Sequence, residues 1–467
     1  MKKLLLVVFF LFFFILCSSA SVWAGGQEDA KAAWEALEQG NNDLAIELAT
    51  KAINSGQLQP KIMGICYFTR GFALANKGQY DEAVTNYTKA IEYDPTFAST
   101  YYSRGNAWYE KGEYDKAISD YTKTIELDPE YAYAYHNRGV AWDEKEEYDK
   151  AITDCTKAIE LDAKFAAAYI SRGNAWDHKG EYDKAIADFS KGIELDPKVA
   201  SAYYNRGNTW KNKKDYDKAI SDFTEAINHN PKFTYAYYNR GSAWDDKGEY
   251  DKAIADYTKA IELDPTYVRA YYYRASAWKS KGQYDKAISD YSKAIEVNPK
   301  YAPAYYRRGG ARGAIGDNSK AIEDYTKSIE LNPNNGSAYS LRGYLRGILG
   351  QYELAEADHL KAIELASHSS WENYMPWVLQ HYADLWRRQG EFDKGLESCK
   401  KAIAAGEYST VYFRMAWIYL DMGEHDSARQ NFKKFQELAE GEGKTLGSGF
   451  WPDEREALRR LEKISSD

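Results

Sequence analysis

The chain has 467 residues, 44% of them hydrophobic and 28% charged, with a formal net charge of -9. That balance excludes disorder over the main span and speaks against nucleic acid as a partner, because phosphate binders concentrate basic residues on one face. The length alone suggests about three domains, and the 41 tyrosines are the unusual feature of the composition.

In chain order, Lys2 and Lys3 precede the apolar run Leu4 to Leu16 and then small residues ending at Val22-Trp23-Ala24. This predicts a signal peptide over 1–24, with cleavage after Ala24 as first choice and after Ala20 as second. The apolar run is shorter than the ~20 residues of a membrane span, so no span is expected after cleavage and the product is periplasmic or secreted. A bacterial lipobox has a small residue before its cysteine, whereas Leu16 precedes Cys17, so lipidation is not expected. Cys66, Cys155 and Cys399 remain. Their odd number and wide spacing predict buried thiols rather than a disulfide framework.

From residue 64 onward a fixed period governs. Trp108, Trp142, Trp176, Trp210, Trp244 and Trp278 follow one another at intervals of 34 residues, and periods of about 20–50 residues mark stacked repeats. In residues 234–267, Tyr237, Gly241 and Trp244 share one face of a first helix. Lys247-Gly248-Glu249 ends it, Ala253, Tyr257 and Ala260 share a face of a second helix, and Asp264-Pro265 stops that one. Gly241 and Ala253 are predicted where the two helices approach closely, with Tyr237, Trp244, Tyr250 and Tyr257 filling the space between them. The tryptophans are expected in the core.

These landmarks resemble the tetratricopeptide repeat, W-x2-L-G-x2-Y followed by A-x3-F and a closing proline, with Arg240 where the pattern has leucine. The resemblance implies an all-α fold, an α-solenoid of about twelve helix-turn-helix units forming a right-handed superhelix. Units begin near residues 26, 64, 98, 132, 166, 200, 234, 268, 302, 336, 376 and 410. The predicted organisation is a capping repeat at 25–63, nine units at 64–366, an irregular insertion at 367–375 and two degenerate units at 376–442. A linker and C-terminal capping helix follow at 443–467, in which Glu456, Arg459 and Arg460 are expected to cover the end of the stack.

Arg70, Arg104, Arg138, Arg172, Arg206, Arg240, Arg274, Arg308 and Arg342 recur at one position of the first helix. Sixteen residues after them stand Asn86 and then Asp120, Asp154, Asp188, Asp222, Asp256, Asp290, Asp324 and Asp358. The units with Ala32, Tyr382 or Met415 in place of the arginine also lack the aspartate, which predicts contact between the two helices rather than an anion site.

In tetratricopeptide proteins the unpacked face of the first helix lines a concave groove. Here the resemblance places Phe68, Tyr102, Tyr204, Tyr238, Tyr272 and Tyr306 in a row, interrupted by His136 and Ile170. Beside it run Asn106, Asn137, Asn174, Asn205, Asn208 and Asn239. Asparagine offers donors and an acceptor to an extended peptide, and tyrosine adds rigid contact area. The carboxylate-clamp subgroup reads a C-terminal carboxylate on this face. Asn208, Asn239 and Arg269 match that set, but Tyr204 and Tyr273 stand where it has lysine and arginine, so chaperone-tail recognition is not expected. At 302–349, Arg312 and Arg346 replace the periodic tryptophan, and Gly309, Gly310, Gly313, Gly343 and Gly347 thin the helix surface. With Arg307, Arg308 and Arg342 they form a candidate basic patch for an acidic partner or anion. Pairing with Glu323, Asp324, Glu356 and Asp358 is the structural alternative.

Catalytic and metal motifs do not emerge. Gly441-Glu442-Gly443-Lys444-Thr445 lacks the first glycine and the strand of a phosphate-binding loop, and His178, His229 and His359 lack ligand spacing. No enzyme, metal or cofactor is expected. The expected function is a non-catalytic scaffold holding an extended segment of another protein or peptide in the concave groove. A glycan-binding module on the tyrosine row and a substrate-selecting arm of an envelope enzyme are the alternatives, although the repeats leave too little chain for a catalytic domain. A monomer is the default, since both ends read as capped.

Overall fold

In a computed structural model, the described residues are 25–56, 58–367, 374–406, 408–441 and 452–466. Residues 1–24 of the expected signal peptide lie outside them, as do 368–373 of the expected insertion and the expected linker up to residue 451. The described residues form 25 α-helices and no strand. They fall into two compact parts, one up to His229 and one from Asn230 onward, and each is an all-α stack of helix pairs.

In the first part the pairs run from Gly25–Glu38 with Asn42–Asn54 to Ala200–Asn212 with Tyr216–His229. In the second they run from Thr234–Asp246 with Tyr250–Leu263 to Ser409–Met422 with His425–Gly441, followed by the single helix Pro452–Ser466. The helix boundaries follow local chemistry. The second helix of the reference unit stops at Asp264, whose Oδ1 accepts the backbone N–H of Thr266 at 2.9 Å across Pro265. Between the helices of a pair the chain turns through one left-handed residue, usually glycine, as at Gly248 with φ 77°. Glu146 and Lys214 take the same conformation at φ 61° and 62°, which a side chain disfavours by ~1–2 kcal/mol.

The core alternates large and small as the sequence implies. A Cβ at Gly241 would lie 3.1 Å from the Tyr257 ring and 3.2 Å from the Ala253 carbonyl oxygen. At Gly173 it would lie 2.7 Å from Phe189, so the second-helix ring occupies the space the glycine leaves.

The periodic tryptophans sit less deeply than expected. They are half-buried at the rim, and each ring faces a lysine of the following helix. Lys116 Nζ lies 4.5 Å from the Trp108 ring centre, Lys150 4.4 Å from Trp142 and Lys252 4.3 Å from Trp244. Residue spacing defines a helix face but not depth. The indole packs one edge inward while the ammonium covers its other face and stays in water.

At the C-terminus, Ala457, Leu458 and Leu461 join Phe413, Trp417, Phe432 and Phe435 in one core. Glu456 and Arg459 face solvent and pair with each other at 3.2 Å.

Candidate interaction face and its arginine rungs

Eight of the nine ladder arginines tie three helices together within their own part of the chain. Arg104 donates through Nε and Nη2 to the two Asp120 oxygens at 2.8 Å, and through Nη1 to Thr88 Oγ1 of the preceding unit at 3.0 Å. The Tyr101 ring centre lies 5.7 Å from the guanidinium carbon. The same arrangement recurs at Arg138 with Asp154 and Thr122, Arg172 with Asp188 and Thr156, and Arg206 with Asp222 and Ser190. In the second part it recurs at Arg274 with Asp290 and Thr258, Arg308 with Asp324 and Ser292, and Arg342 with Asp358 and Thr326. Arg240 chelates Asp256 at 2.7–2.8 Å. Arg70, facing Asn86 rather than an aspartate, keeps one contact to it at 2.7 Å and reaches Thr50 at 3.1 Å. Burial pushes the Asp120 carboxyl up and its bond to Arg104 pulls it back, the balance of a pair removed from water. The spacing of sixteen pointed to the carboxylate. The hydroxyl sixteen residues before each arginine from Arg104 onward and the tyrosine three before every one of them were equally periodic signals, and sequence reading missed them.

Arg312 and Arg346 do not form an open basic patch. Arg312 Nη1 donates to Asp324 Oδ2 at 2.8 Å and Arg346 Nη1 to Asp358 Oδ2 at 2.7 Å, so each joins a rung whose carboxylate then serves two guanidiniums. The arginine at the tryptophan position lies one turn beyond the ladder arginine and reaches the same aspartate. Burial, reinforced by neighbouring Arg342, lowers the Arg346 pKa.

On the first-helix face, Phe68 and Tyr102 are each only 2% exposed. Phe68 packs among Phe72, Tyr87 and Phe97, and Tyr102 between Tyr121 and Tyr131. Tyr238 is likewise buried, among Tyr257, Tyr267 and Tyr273. These three rings belong to the core because aromatic residues from adjoining segments close over them. Tyr204, Tyr272 and Tyr306 remain half-exposed, and Arg269 and Arg307 are exposed.

The asparagines are partly exposed and bonded from unit to unit. Asn137 Nδ2 donates to Asn106 Oδ1 at 2.8 Å and to the Tyr102 hydroxyl at 3.0 Å, and Asn205 Nδ2 donates to Asn174 Oδ1 at 2.8 Å. His136 bridges Asn137 at 2.9 Å and Ser171 at 3.0 Å, and burial lowers its pKa, which keeps the ring neutral near pH 7. Asn208 and Asn239 are half-buried.

Sequence reading missed a buried network near the C-terminus. Asp384 accepts from Arg387 at 2.9 Å, Arg388 at 2.6 Å and Arg414 at 2.7 Å. Arg414 also donates to Glu454 at 2.6 Å, Arg388 to Asp453 and Arg387 to Asp421, while the Tyr344 hydroxyl lies 3.2 Å from Asp453. Burial opposes the Asp384 charge, but Arg414, Arg387 and Arg388 outweigh it and hold the carboxyl far below the usual range. The two C-terminal units without a rung thus build a different one.

Cys66, Cys155 and Cys399 are buried and unpaired, and burial pushes the thiols of Cys66 and Cys399 up to about 12. Among the described residues no group of three or more His, Cys, Asp or Glu side chains could hold a metal, and no helix is long and apolar enough to cross a membrane.

Comparison with protein families gives a TPR repeat model at 71–112 and 105–142. Tetratricopeptide repeat models match six consecutive segments from 132–165 to 302–335, then 324–357 and 409–441. A search of curated proteins returns no match. Similar solved structures include YrrB, a TPR protein described as having an unusual peptide-binding site. It is 26% identical, with 40% of this chain and 97% of that one covered and a TM-score of 0.36. MamA is 32% identical over 35% of this chain and 96% of its own, with a TM-score of 0.34. The C-terminal part of a TPR repeat-containing protein from Cytophaga hutchinsonii is 23% identical over 51% and 97%, with a TM-score of 0.45. Family models that take in well over half the sequence, and nearly every arginine rung, establish that the chain belongs to the tetratricopeptide repeat proteins.

Proposed function

We propose that this protein is a non-catalytic scaffold, exported from the cytoplasm, that holds an extended segment of another protein against the first-helix face. Tetratricopeptide repeats as a class suggest protein–protein interaction. The observation that carries the finer reading is the pre-oriented polar row. Asn106, Asn137, Asn174 and Asn205 are fixed by cross-unit hydrogen bonds while remaining partly exposed. Their unused donors and acceptors therefore meet a peptide main chain with little further loss of side-chain freedom. Tyr204, Tyr272 and Tyr306 supply amphipathic area beside them. The peptide reading is preferred over a glycan because Phe68, Tyr102 and Tyr238 are enclosed by other rings, which leaves them no open face for a sugar. Export rests on the residues before Ala24, and N-terminal sequencing of the mature protein from cell fractions tests it.

Crosslinking in the native envelope or secreted fraction, followed by mass spectrometry, tests the partner class. Capture of a protein segment that is lost on exchanging Tyr204, Tyr272 and Tyr306 for alanine is the expected outcome. Undiminished capture by the triple variant rules the face out.

A further inference from the structure

In two units the second-helix tyrosine ends on a polar group of the first helix fifteen residues earlier. Tyr121 donates to Asn106 Oδ1 at 2.8 Å, and the Tyr291 hydroxyl lies 3.0 Å from Ser276 Oγ. In the unit at 302 that position is Gly310. Tyr325 is 0% exposed, and its hydroxyl has no hydrogen-bond partner, an arrangement that destabilises the fold unless something fills the role.

The point where a Cβ of residue 310 would stand lies 3.5 Å from the Tyr325 hydroxyl and 3.5 Å from Lys279 Nζ, a lysine of the preceding unit's first helix. Arg307 lies on the same face, its Nε 3.4 Å from the Tyr272 hydroxyl and its guanidinium carbon 5.7 Å from the Tyr306 ring centre. Burial, with the nearby Arg307 charge adding to it, lowers the Lys279 pKa. The contrast with the neighbouring arginines is chemical. Arg308 and Arg312 share Asp324, whereas neither Lys279 nor Arg307 has a carboxylate within ion-pairing reach among the described residues. Two unneutralised cations and one unused hydroxyl therefore converge beside a residue that contributes no side chain. A bridging water satisfies the hydrogen bonds of such a place but leaves its charge.

We propose that the notch over Gly310 binds an oxyanion, a carboxylate or a phosphate, through Lys279 Nζ, the Tyr325 hydroxyl and the Arg307 guanidinium. The donor set differs from the carboxylate-clamp positions considered above, none of which is Lys279 or Tyr325. The site does not depend on the peptide reading, because a small anion alone can fill it.

The test uses the mature chain with inorganic phosphate or acetate, read by titration calorimetry and by thermal melting against chloride at equal ionic strength. Saturable binding and a raised Tm are expected, and the anion that binds more tightly identifies the source as phosphate or carboxylate. Lys279→Met should lower the affinity at least ten-fold. In chloride it should melt no lower than wild type, because it removes an uncompensated charge. Gly310→Ser offers Tyr325 the partner that Ser276 gives Tyr291. It should raise the chloride Tm and abolish saturable binding, a result that a merely misfolded variant would not produce. Binding that does not saturate, or that survives unchanged in both variants, overturns the proposal, as does a Lys279→Met protein less stable than wild type in chloride.

Discussion

The regular units at 98–358 and the C-terminal units at 375–466 bury guanidinium groups in opposite ways. In the regular units each buried aspartate is chelated by a partly exposed arginine from the first helix of its own unit, and the motif is dealt out once per unit. Near the C-terminus three guanidiniums share Asp384, which is 1% exposed, and one of them, Arg414, is 2% exposed. Damage to a rung should therefore stay local, whereas damage to the network should spread across every segment that meets there, including the helix Pro452–Ser466.

The sharpest way to break that comparison is Asp384→Ala. With Arg387, Arg388 and Arg414 left facing one another, a loss of roughly 3–5 kcal/mol is expected, along with new protease cleavage around 452–466. Urea unfolding with limited proteolysis measures both, and a loss below 1 kcal/mol would make the network no more important than a rung. Arg240→Met should cost about 1–3 kcal/mol by leaving Asp256 buried and unpaired. Adding Asp256→Leu should recover most of this, because an apolar pair of similar size replaces an ion pair at little net cost. No recovery would mean that the rung is tied into its neighbours as tightly as the network is.

Acid should act most strongly where the last regular unit meets the C-terminal ones. His359 occupies the place of Tyr257, Tyr291 and Tyr325 and is fully buried, with neither ring nitrogen hydrogen-bonded. Burial holds it neutral and lowers its pKa to about 3. The unfolded chain takes up a proton near pH 6.5 and the folded chain does not, so the stabilising contribution is whole above 6.5 and is lost as the pH falls from 6.5 toward 3. The expected slope is about 1.4 kcal/mol per pH unit. His381, lowered by burial and by Arg414, adds in the same direction. Melting curves between pH 7 and 5 should flatten in His359→Phe, and an unchanged slope would place the acid sensitivity elsewhere. The smallest effect belongs to the regular units. Glu146→Gly and Lys214→Gly should each raise stability by about 1 kcal/mol or less by relieving a left-handed backbone. Their sum in the double variant is the cleanest check that this region is additive.

What could be read from the sequence divides along the same line. Gly241 against Tyr257 and Arg240 against Asp256 were legible because both partners of each contact lie within one period. The network at Asp384 was not, since Arg414 and Glu454 come from segments that no longer repeat. The depth of Phe68, Tyr102 and Tyr238 was also hidden. A face defined by helical spacing is open or closed according to what the next connection places over it, here Phe97, Tyr131 and Tyr267. Lys279 escaped because its significance lies in a missing partner, and spacing shows only what is present.

The bond that most ladder arginines make back to a hydroxyl of the previous unit has an evolutionary consequence. A 34-residue block of this kind carries a plug for the block before it and a socket for the block after it, so duplicating one block in frame lengthens the array without any new interface having to arise. A copy of any other length would bring plug and socket out of step. The unit after 336 begins at 376 rather than 370, and it is also the first after Arg342 to carry no arginine at the rung position.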